Sequence, residues 1–129
     1  MATTPGQIDV TVGGGEFGRG FYTQHSAWYA RAWAIRVSPR LNGAPCVLRL
    51  DIEDAAYGGL TFRYLDVTTG RALSAMIYQA SQESTYVDGT CDVIEGPVMG
   101  NMGRRQQKFE SGKAQALLNG QSTTRTVIP

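Results

Sequence analysis

The alternation of polar and apolar residues divides the chain into short segments. Residues 7–12 alternate strictly and end at three glycines, which predicts a half-buried strand. Residues 26–37 are rich in Ala and Arg and contain neither Gly nor Pro, which predicts a helix that Ser26 caps and that ends before Ser38-Pro39. This is the clearest helix in the sequence.

The second half is predicted to hold mostly short strands. Residues 71–81 fit either a short helix or a covering loop, and residues 113–119 fit a second helical segment. The predicted strands cover residues 46–52, 60–67, 91–94, 106–109 and 124–128. Gly96-Pro97 should end the third of these, and a loop of glycine and methionine should precede the fourth. The expected fold class is α+β.

Length and composition narrow the functional classes. The 129 residues have the size of one domain, 42% of them are hydrophobic, and the net charge is +1. Composition therefore encodes no general attraction to nucleic acid or to an anionic membrane. We find no run of about 20 apolar residues and no basic, apolar start, so we expect neither a membrane span nor a signal peptide in this chain.

The cysteines and the single histidine argue against a metal site. Zinc sites need paired CxxC or HxxxH spacings, and the acidic residues are scattered, so no metal ligands are predicted. Cys46 and Cys91 each lie in an apolar segment and are interpreted as buried thiols. A disulfide between them would require an oxidising compartment.

The glycines after the first predicted strand match a dinucleotide-binding fingerprint only superficially. Gly13, Gly15 and Gly18 satisfy G-x-G-x-x-G. That fingerprint also needs a helix beginning inside it and an acid about 20 residues later. Residues 20–23 are not helical in pattern, and no acid occurs between Glu16 and Asp51, so a Rossmann fold is not expected.

The string FGRGFYT at residues 17–23, followed by ARAWA at 30–34, is more specific. It resembles the bacterial ADP-ribosyltransferase-like toxin domains, whose signature is DFG-x-GFY-x-T and then QA-x-x-WA, and it is distantly similar to poly(ADP-ribose) polymerase catalytic domains. The resemblance implies a small split β-sheet fold with one principal helix after the GFY motif. It also implies NAD as the substrate.

In that resemblance two aromatic residues eleven positions apart flank the nicotinamide, and Tyr22 and Trp33 have this separation. Eleven residues make about three helical turns, so both rings would lie on one side if the helix began near Tyr22. Two rings can hold a flat cation by stacking and cation–π attraction. The alternative is that Tyr22, Trp28, Tyr29 and Trp33 are ordinary core aromatics.

The resemblance implies a set of NAD contacts around this string. The glycines would let the backbone approach the nicotinamide amide, where a Cβ would clash. The implied NAD-binding residues are Gly18, Arg19, Gly20, Phe21, Tyr22, Thr23, Trp33 and Gln106.

Two later segments also resemble the family. CDVIEGPV at residues 91–98 is similar to its YD-x-I-x-GP-x-A strand, and residues 106–114 follow Q-x-x-F-x-[ST]-x-K-A. The resemblance implies that Gln106 binds the ribose hydroxyls where other members keep a glutamate. A glutamine supplies no negative charge. Glu110 shares a strand face with Gln106 and Lys108 and is the nearest carboxylate candidate, the alternative being a solvated surface acid. The predicted catalytic residues are Tyr22, Gln106 and Glu110.

One family motif is missing, because only sixteen residues precede Phe17 and none of them is His or Arg. Either residues 7–15 replace that motif, or the chain is the C-terminal fragment of a longer one, or NAD cleavage is lost. His25 follows Tyr22 and is interpreted as a cap or surface residue. The basic run of Arg104, Arg105, Lys108 and Lys113 either receives the NAD phosphates or an RNA, or is a solvated face.

The sequence therefore predicts one domain, residues 1–129, that transfers ADP-ribose from NAD to a protein or an RNA. NAD hydrolysis is the enzymatic alternative, and a degenerate module that binds a nucleotide or a protein is the non-catalytic one. By analogy the domain is the toxin tip of a secreted bacterial effector that acts in the target-cell cytoplasm and has a cognate immunity protein. Otherwise the chain is expected to be cytoplasmic.

Overall fold

The computed structural model describes residues 6–41 and 46–129. The start of the chain at residues 1–5, which bears on the expected lack of a signal peptide, lies outside the described residues. The described part forms six strands and four helices, so the α+β class is confirmed. In chain order the elements are β1 (Phe21–Thr23), α1 (Ala27–Leu41), β2 (Val47–Ile52), α2 (Asp54–Gly58), β3 (Phe62–Tyr64), α3 (Val67–Gln79), β4 (Val93–Val98), β5 (Asn101–Phe109), α4 (Gly112–Asn119) and β6 (Thr123–Ile128).

The strands form two sheets. The larger has the order β1-β5-β4-β3, in which only β3 and β4 run parallel, and the smaller pairs β2 with β6 antiparallel. Strand β1 lies at the edge of the larger sheet, with Tyr22 opposite Lys108 on β5. The GFY string is therefore held against the strand that carries Gln106.

Each face of the larger sheet has its own core. Val93 and Phe109 pack with Ala114 and Leu118 of α4 and with apolar side chains of β2. Their neighbour Ile94 points to the other face, because side chains alternate along a strand. There it packs with α3 and with the ring of Phe17. The loop that precedes β1 is thereby part of the second core.

The predicted strand at residues 7–12 is wrong, since this segment is irregular and turns at its end. Ile8 and Val10 are nevertheless buried in the first core. Side chains of α4 replace a neighbouring strand: Ile8 N donates to Asn119 Oδ1 at 2.8 Å, and Val10 N donates to Gln115 Oε1 at 2.9 Å. Amide side chains thus satisfy backbone groups that a sheet would otherwise pair.

The predicted helix at 26–37 is confirmed as α1, and Ser26 Oγ accepts a hydrogen bond from Tyr29 N at 3.3 Å. Its predicted end is wrong, because the helix continues through Pro39 to Leu41. The proline falls in the last turn, where it interrupts little of the remaining helix. The strand predicted at 46–52 and the helix predicted at 113–119 are confirmed as β2 and α4.

Three boundaries around α3 and β4 differ from the predictions. The strand predicted at 60–67 shrinks to β3, because Asp66 caps α3 by accepting a hydrogen bond from Thr69 N at 2.7 Å. The ambiguous segment 71–81 belongs largely to that helix. Strand β4 runs through Gly96-Pro97 and does not end there, because Gly96 lies opposite Gln106 and Pro97 opposite Arg105 on β5.

The predicted loop of glycine and methionine is also much shorter than expected. Strand β5 begins at Asn101, and the turn at Met99-Gly100 uses the positive φ of Gly100, +84°. Within the described residues, no helix is both long and apolar enough to cross a membrane.

The two thiols occupy different environments. Cys91 is buried as predicted, whereas Cys46 is exposed just before β2, so its interpretation as a buried thiol is wrong. Both are free cysteines.

Candidate functional site

A cavity of about 860 Å³ opens between β1, α1 and the two-stranded sheet. Its lining includes Tyr22, Trp33, Glu16 and Gln106. Apolar residues of β2 and alanines of α1 make up much of the rest. A mostly apolar cleft of this volume with a few convergent polar groups is typical of small-molecule sites.

Tyr22 is held in place by the loop that precedes it. Its hydroxyl donates to Gly18 O at 2.6 Å and accepts from Phe17 N at 2.9 Å. Burial raises the pKa of Tyr22 well above its usual value, so the phenol stays neutral and keeps donating. Because the hydroxyl is occupied by its own loop, the ring is what Tyr22 offers to a ligand.

Trp33 reaches the same cavity from α1. The helix begins at Ala27, so Tyr22 lies on a strand, and the expectation that three helical turns align the two rings is wrong. Both residues nevertheless line the cavity: Tyr22 packs against the second core, whereas α1, which carries Trp33, contacts β2. Trp28 and Trp33 are 71% and 58% exposed, so these tryptophans are not core aromatics.

The glycines of the string serve the loop and not the cavity wall. Gly18 has a φ of +91°, and a Cβ there would overlap Tyr86. A Cβ on Gly20 would overlap the side chain of Lys108 and the backbone of Phe109. The space beside Gly18 and Gly20 is therefore filled by the protein itself and not left for a ligand. The glycines that line the cavity are Gly14 and Gly15.

Of the remaining implied NAD-binding residues, Phe21, Thr23 and Gln106 line the cavity, and Arg19 does not. The backbone N of Arg19 donates to Tyr86 O at 2.8 Å. Its Nε is the one buried side-chain nitrogen or oxygen atom without a hydrogen-bond partner among the described residues.

Gln106 and Glu16 form a pair at the cavity wall. Gln106 Nε2 donates to Glu16 Oε2 at 2.7 Å and also contacts Pro97 O at 3.3 Å. The same Glu16 oxygen accepts from Met99 N at 3.0 Å. A carboxylate therefore lies directly beside the predicted ribose-binding amide, on a loop ninety residues earlier in the chain.

Glu110 is not part of this arrangement. It shares the sheet face with Gln106 as expected, but its side chain is 1% exposed and pairs with Lys108, whose side chain is wholly buried. Its second oxygen accepts from Gly89 N at 2.9 Å. Glu110 does not line the cavity, and its interpretation as a solvated surface acid is wrong, because its side chain is buried. Burial lowers the pKa of Lys108, and the ion pair with Glu110 opposes that shift.

The basic run does not form one patch. Lys108 is buried, Arg104 lies 3.3 Å above the ring centroid of Tyr29, and Arg105 donates to Leu65 O at 2.8 Å. Lys113 donates to Gly59 O, also at 2.8 Å. The interpretation of the run as one phosphate, RNA or solvated surface is wrong for Lys108, which is buried, whereas Arg104 and Arg105 line one small pocket.

His25 is a surface residue, as predicted, with its side chain 76% exposed.

Across the residues that the structure describes, no three His, Cys, Asp or Glu side chains come together as metal ligands. Besides Tyr22 and Trp33, the aromatic residues Phe21, Tyr57 and Phe109 line the cavity, and its charged lining residues are Glu16 and Arg49, with the amides Gln24, Gln106 and Gln107.

No protein-family model and no curated protein sequence matches this chain.

Glu16 is the residue that sequence reasoning missed. The signal that could have found it is the acid directly before the phenylalanine in DFG-x-GFY-x-T, since Glu16 stands at that position of this chain. Its pairing with Gln106 depends on a contact between residues 90 positions apart, which no local pattern contains.

Proposed function

We propose that this chain is an NAD-dependent ADP-ribosyltransferase with an ADP-ribosyltransferase-like split sheet. The observation that carries the proposal is that Tyr22, Trp33 and Gln106, three residues that the sequence resemblance assigns to NAD, line one cavity. They come from a strand, a helix and a second strand, at positions 22, 33 and 106. Their convergence is independent of the spacing argument, which failed.

The cavity supports a mechanism in which nicotinamide leaves from the ribose. The rings of Tyr22 and Trp33 hold the cationic nicotinamide by stacking and cation–π attraction, worth about 1–2 kcal/mol per ring when water is excluded. As the glycosidic C–N bond breaks, its electron pair goes to nicotinamide and positive charge develops on the ribose. Gln106 accepts a hydrogen bond from a ribose hydroxyl and orients the sugar for an acceptor nucleophile.

A labelling experiment tests the proposal. The purified chain is incubated with NAD labelled in its adenylate half and a bacterial lysate, and the products are treated with protease or nuclease in parallel. Label in a macromolecule that survives one treatment identifies the acceptor as nucleic acid or protein. Label released only as free ADP-ribose indicates NAD hydrolysis, and no cleavage at all contradicts the enzymatic proposal in favour of a binding module.

The two tryptophans of α1 provide the matched control. Trp33→Ala removes a cavity wall, whereas Trp28→Ala removes a ring that is more exposed and does not line the cavity. Transfer should fall in Trp33→Ala and persist in Trp28→Ala. Equal loss in both variants would mean that the labelling does not depend on the cavity.

The same proposal includes the role of a bacterial effector domain with a cognate immunity protein. An inhibitor that covers the cavity would contact Trp33, whose exposed ring stands at its rim. Induced expression in bacteria should arrest growth, and Trp33→Ala should relieve the arrest. Normal growth with the unmodified chain, at expression levels confirmed by blotting, would contradict the toxin role.

A further inference from the structure

The pairing of Glu16 with Gln106 determines which end of the Gln106 amide is available. A carboxylate and a backbone carbonyl can only accept hydrogen bonds. Both groups beside the Gln106 amide, Glu16 Oε2 and Pro97 O, are of this kind, so the NH₂ group must face them. The amide therefore cannot rotate by 180° without losing two hydrogen bonds and placing an oxygen against a negative charge.

The other end of the amide is consequently an open acceptor. Among the described residues, no group donates a hydrogen bond to Gln106 Oε1. If this oxygen were fully buried, it would be a buried atom without a partner, and Arg19 Nε is the one such atom among the described residues. Gln106 Oε1 is thus not fully buried, on a residue that is 8% exposed and lines the cavity. A hydroxyl of a bound sugar is the kind of donor that this oxygen can accept from.

Glu16 also adds charge at the right place. Glu16 itself lines the cavity, and its Oε2 is kept in position by the second hydrogen bond, from Met99 N. A negative charge one hydrogen bond behind the amide polarises it, so that Oε1 becomes a stronger acceptor as positive charge develops on the ribose. Glu110, which strand alternation indicated as the nearest carboxylate, is paired with Lys108 outside the cavity.

We infer that Glu16 is the positioning residue of this site: it locks the Gln106 amide with Oε1 toward the ribose and stabilises the ribosyl cation through that amide. This inference rests on the proposed function. Glu16 forms no bond to the substrate and takes up no proton. Its effect belongs to the transition state, so it should appear in kcat and hardly in KM.

The test compares NAD cleavage by the full chain with that of Glu16→Gln and Glu16→Asp. Glu16→Gln removes the charge and allows the Gln106 amide to flip, so kcat should fall about 100-fold while KM stays within about threefold. Glu16→Asp keeps the charge and should recover part of that loss. The matched control is Glu95→Gln, because Glu95 Oε1 accepts from Gln107 Nε2 at 3.0 Å and Gln107 Oε1 remains held by Thr23 Oγ1. Its kcat should stay within about twofold of the unmodified chain.

A spectroscopic measurement separates positioning from mere folding. In the ¹⁵N-labelled chain the Gln106 side-chain NH₂ protons should give a sharp, exchange-protected pair of resonances, and Glu16→Gln should broaden or merge them while the backbone spectrum is kept.

The outcomes separate the inference from the function on which it rests. If the unmodified chain cleaves NAD and Glu16→Gln cleaves it equally fast, the inference about Glu16 is overturned and the proposed function stands. If kcat falls but the Gln106 side-chain resonances are unchanged, Glu16 does not act by positioning the amide, and the inference is again overturned. If the unmodified chain cleaves no NAD, the proposed function fails and the inference falls with it.

Discussion

Two polar pairs lie along the same face of β5 and differ in what covers them. Gln106 is paired with Glu16 at the wall of the cavity, and Lys108, two residues later, is paired with Glu110. The second pair is sealed beneath Gly20 and close to the ring of Tyr86. The comparison teaches that strand alternation assigns a side chain to a face, whereas the overlying loop decides whether that side chain can meet a ligand.

The largest expected effect comes from breaking the sealed pair. Lys108→Met leaves Glu110 buried without its cation, so the free energy of unfolding should fall by about 3–5 kcal/mol in chemical denaturation. Adding Glu110→Leu should recover much of the loss, because the uncompensated charge is removed. Glu16→Gln, at the open pair, should cost about 1 kcal/mol. Equal losses in Lys108→Met and Glu16→Gln would contradict the contrast between the two pairs.

A smaller effect is expected from the Tyr22 hydroxyl, which holds the loop that carries Glu16. Tyr22→Phe removes the hydrogen bonds to Phe17 N and Gly18 O and should lower the free energy of unfolding by about 1–3 kcal/mol. The ring remains, so the affinity for nicotinamide, measured by calorimetry, should change little. Loss of nicotinamide binding in this folded variant would show that the hydroxyl, and not the ring, contacts the ligand.

Trp33→Ala should affect binding without affecting stability. Its ring is 58% exposed, so thermal unfolding should shift by less than about 2 °C. The loss of one wall should weaken NAD binding about 5- to 30-fold, the equivalent of one cation–π contact. Unchanged affinity in this variant would exclude Trp33 from the site.

The smallest effect concerns thiol reactivity near the sealed pair. Burial, followed by the charges of Glu110 and Asp88, raises the pKa of the Cys91 thiol to about 12. At pH 8 it is almost entirely protonated and it is buried, so a disulfide reagent should modify the exposed Cys46 much faster in the folded chain. In denaturant the Cys91 thiol should become exposed and react as well. Two equally fast thiols in the folded state would mean that the region around Glu110 is open.

Local patterns predicted the elements that depend on nearby residues. Helix α1 has its Ser26 cap and a long stretch without Gly or Pro, and β2 has its β-branched alternation, so both were found. The segment at 7–12 failed because its backbone partners are the side chains of Gln115 and Asn119, more than a hundred residues away. The alternation of polar and apolar residues correctly predicts that Ile8 and Val10 are buried. It does not predict whether a neighbouring strand pairs with the segment.

The candidate site was predictable where it depends on local motifs and not where it depends on contacts between distant residues. Motif matching found Tyr22, Trp33 and Gln106, which the structure brings to one cavity. It selected Glu110 as the carboxylate because the period of two places it on the correct face. It missed Glu16, since choosing between two acids required knowing that Lys108 neutralises one and that the loop turns the other toward Gln106.

The two hydrogen bonds between Ile8 and Asn119 have a consequence for synthesis on the ribosome. The Asn119 side chain binds both the N–H and the C=O of Ile8, across 111 positions of sequence. Contacts of such separation form late, because a long loop must first close. During synthesis the segment around Ile8 cannot bind Asn119, and Glu16 cannot pair with Gln106, until residues 106–119 have left the exit tunnel. Translation order therefore delays assembly of the cavity until β5 and α4 have been made.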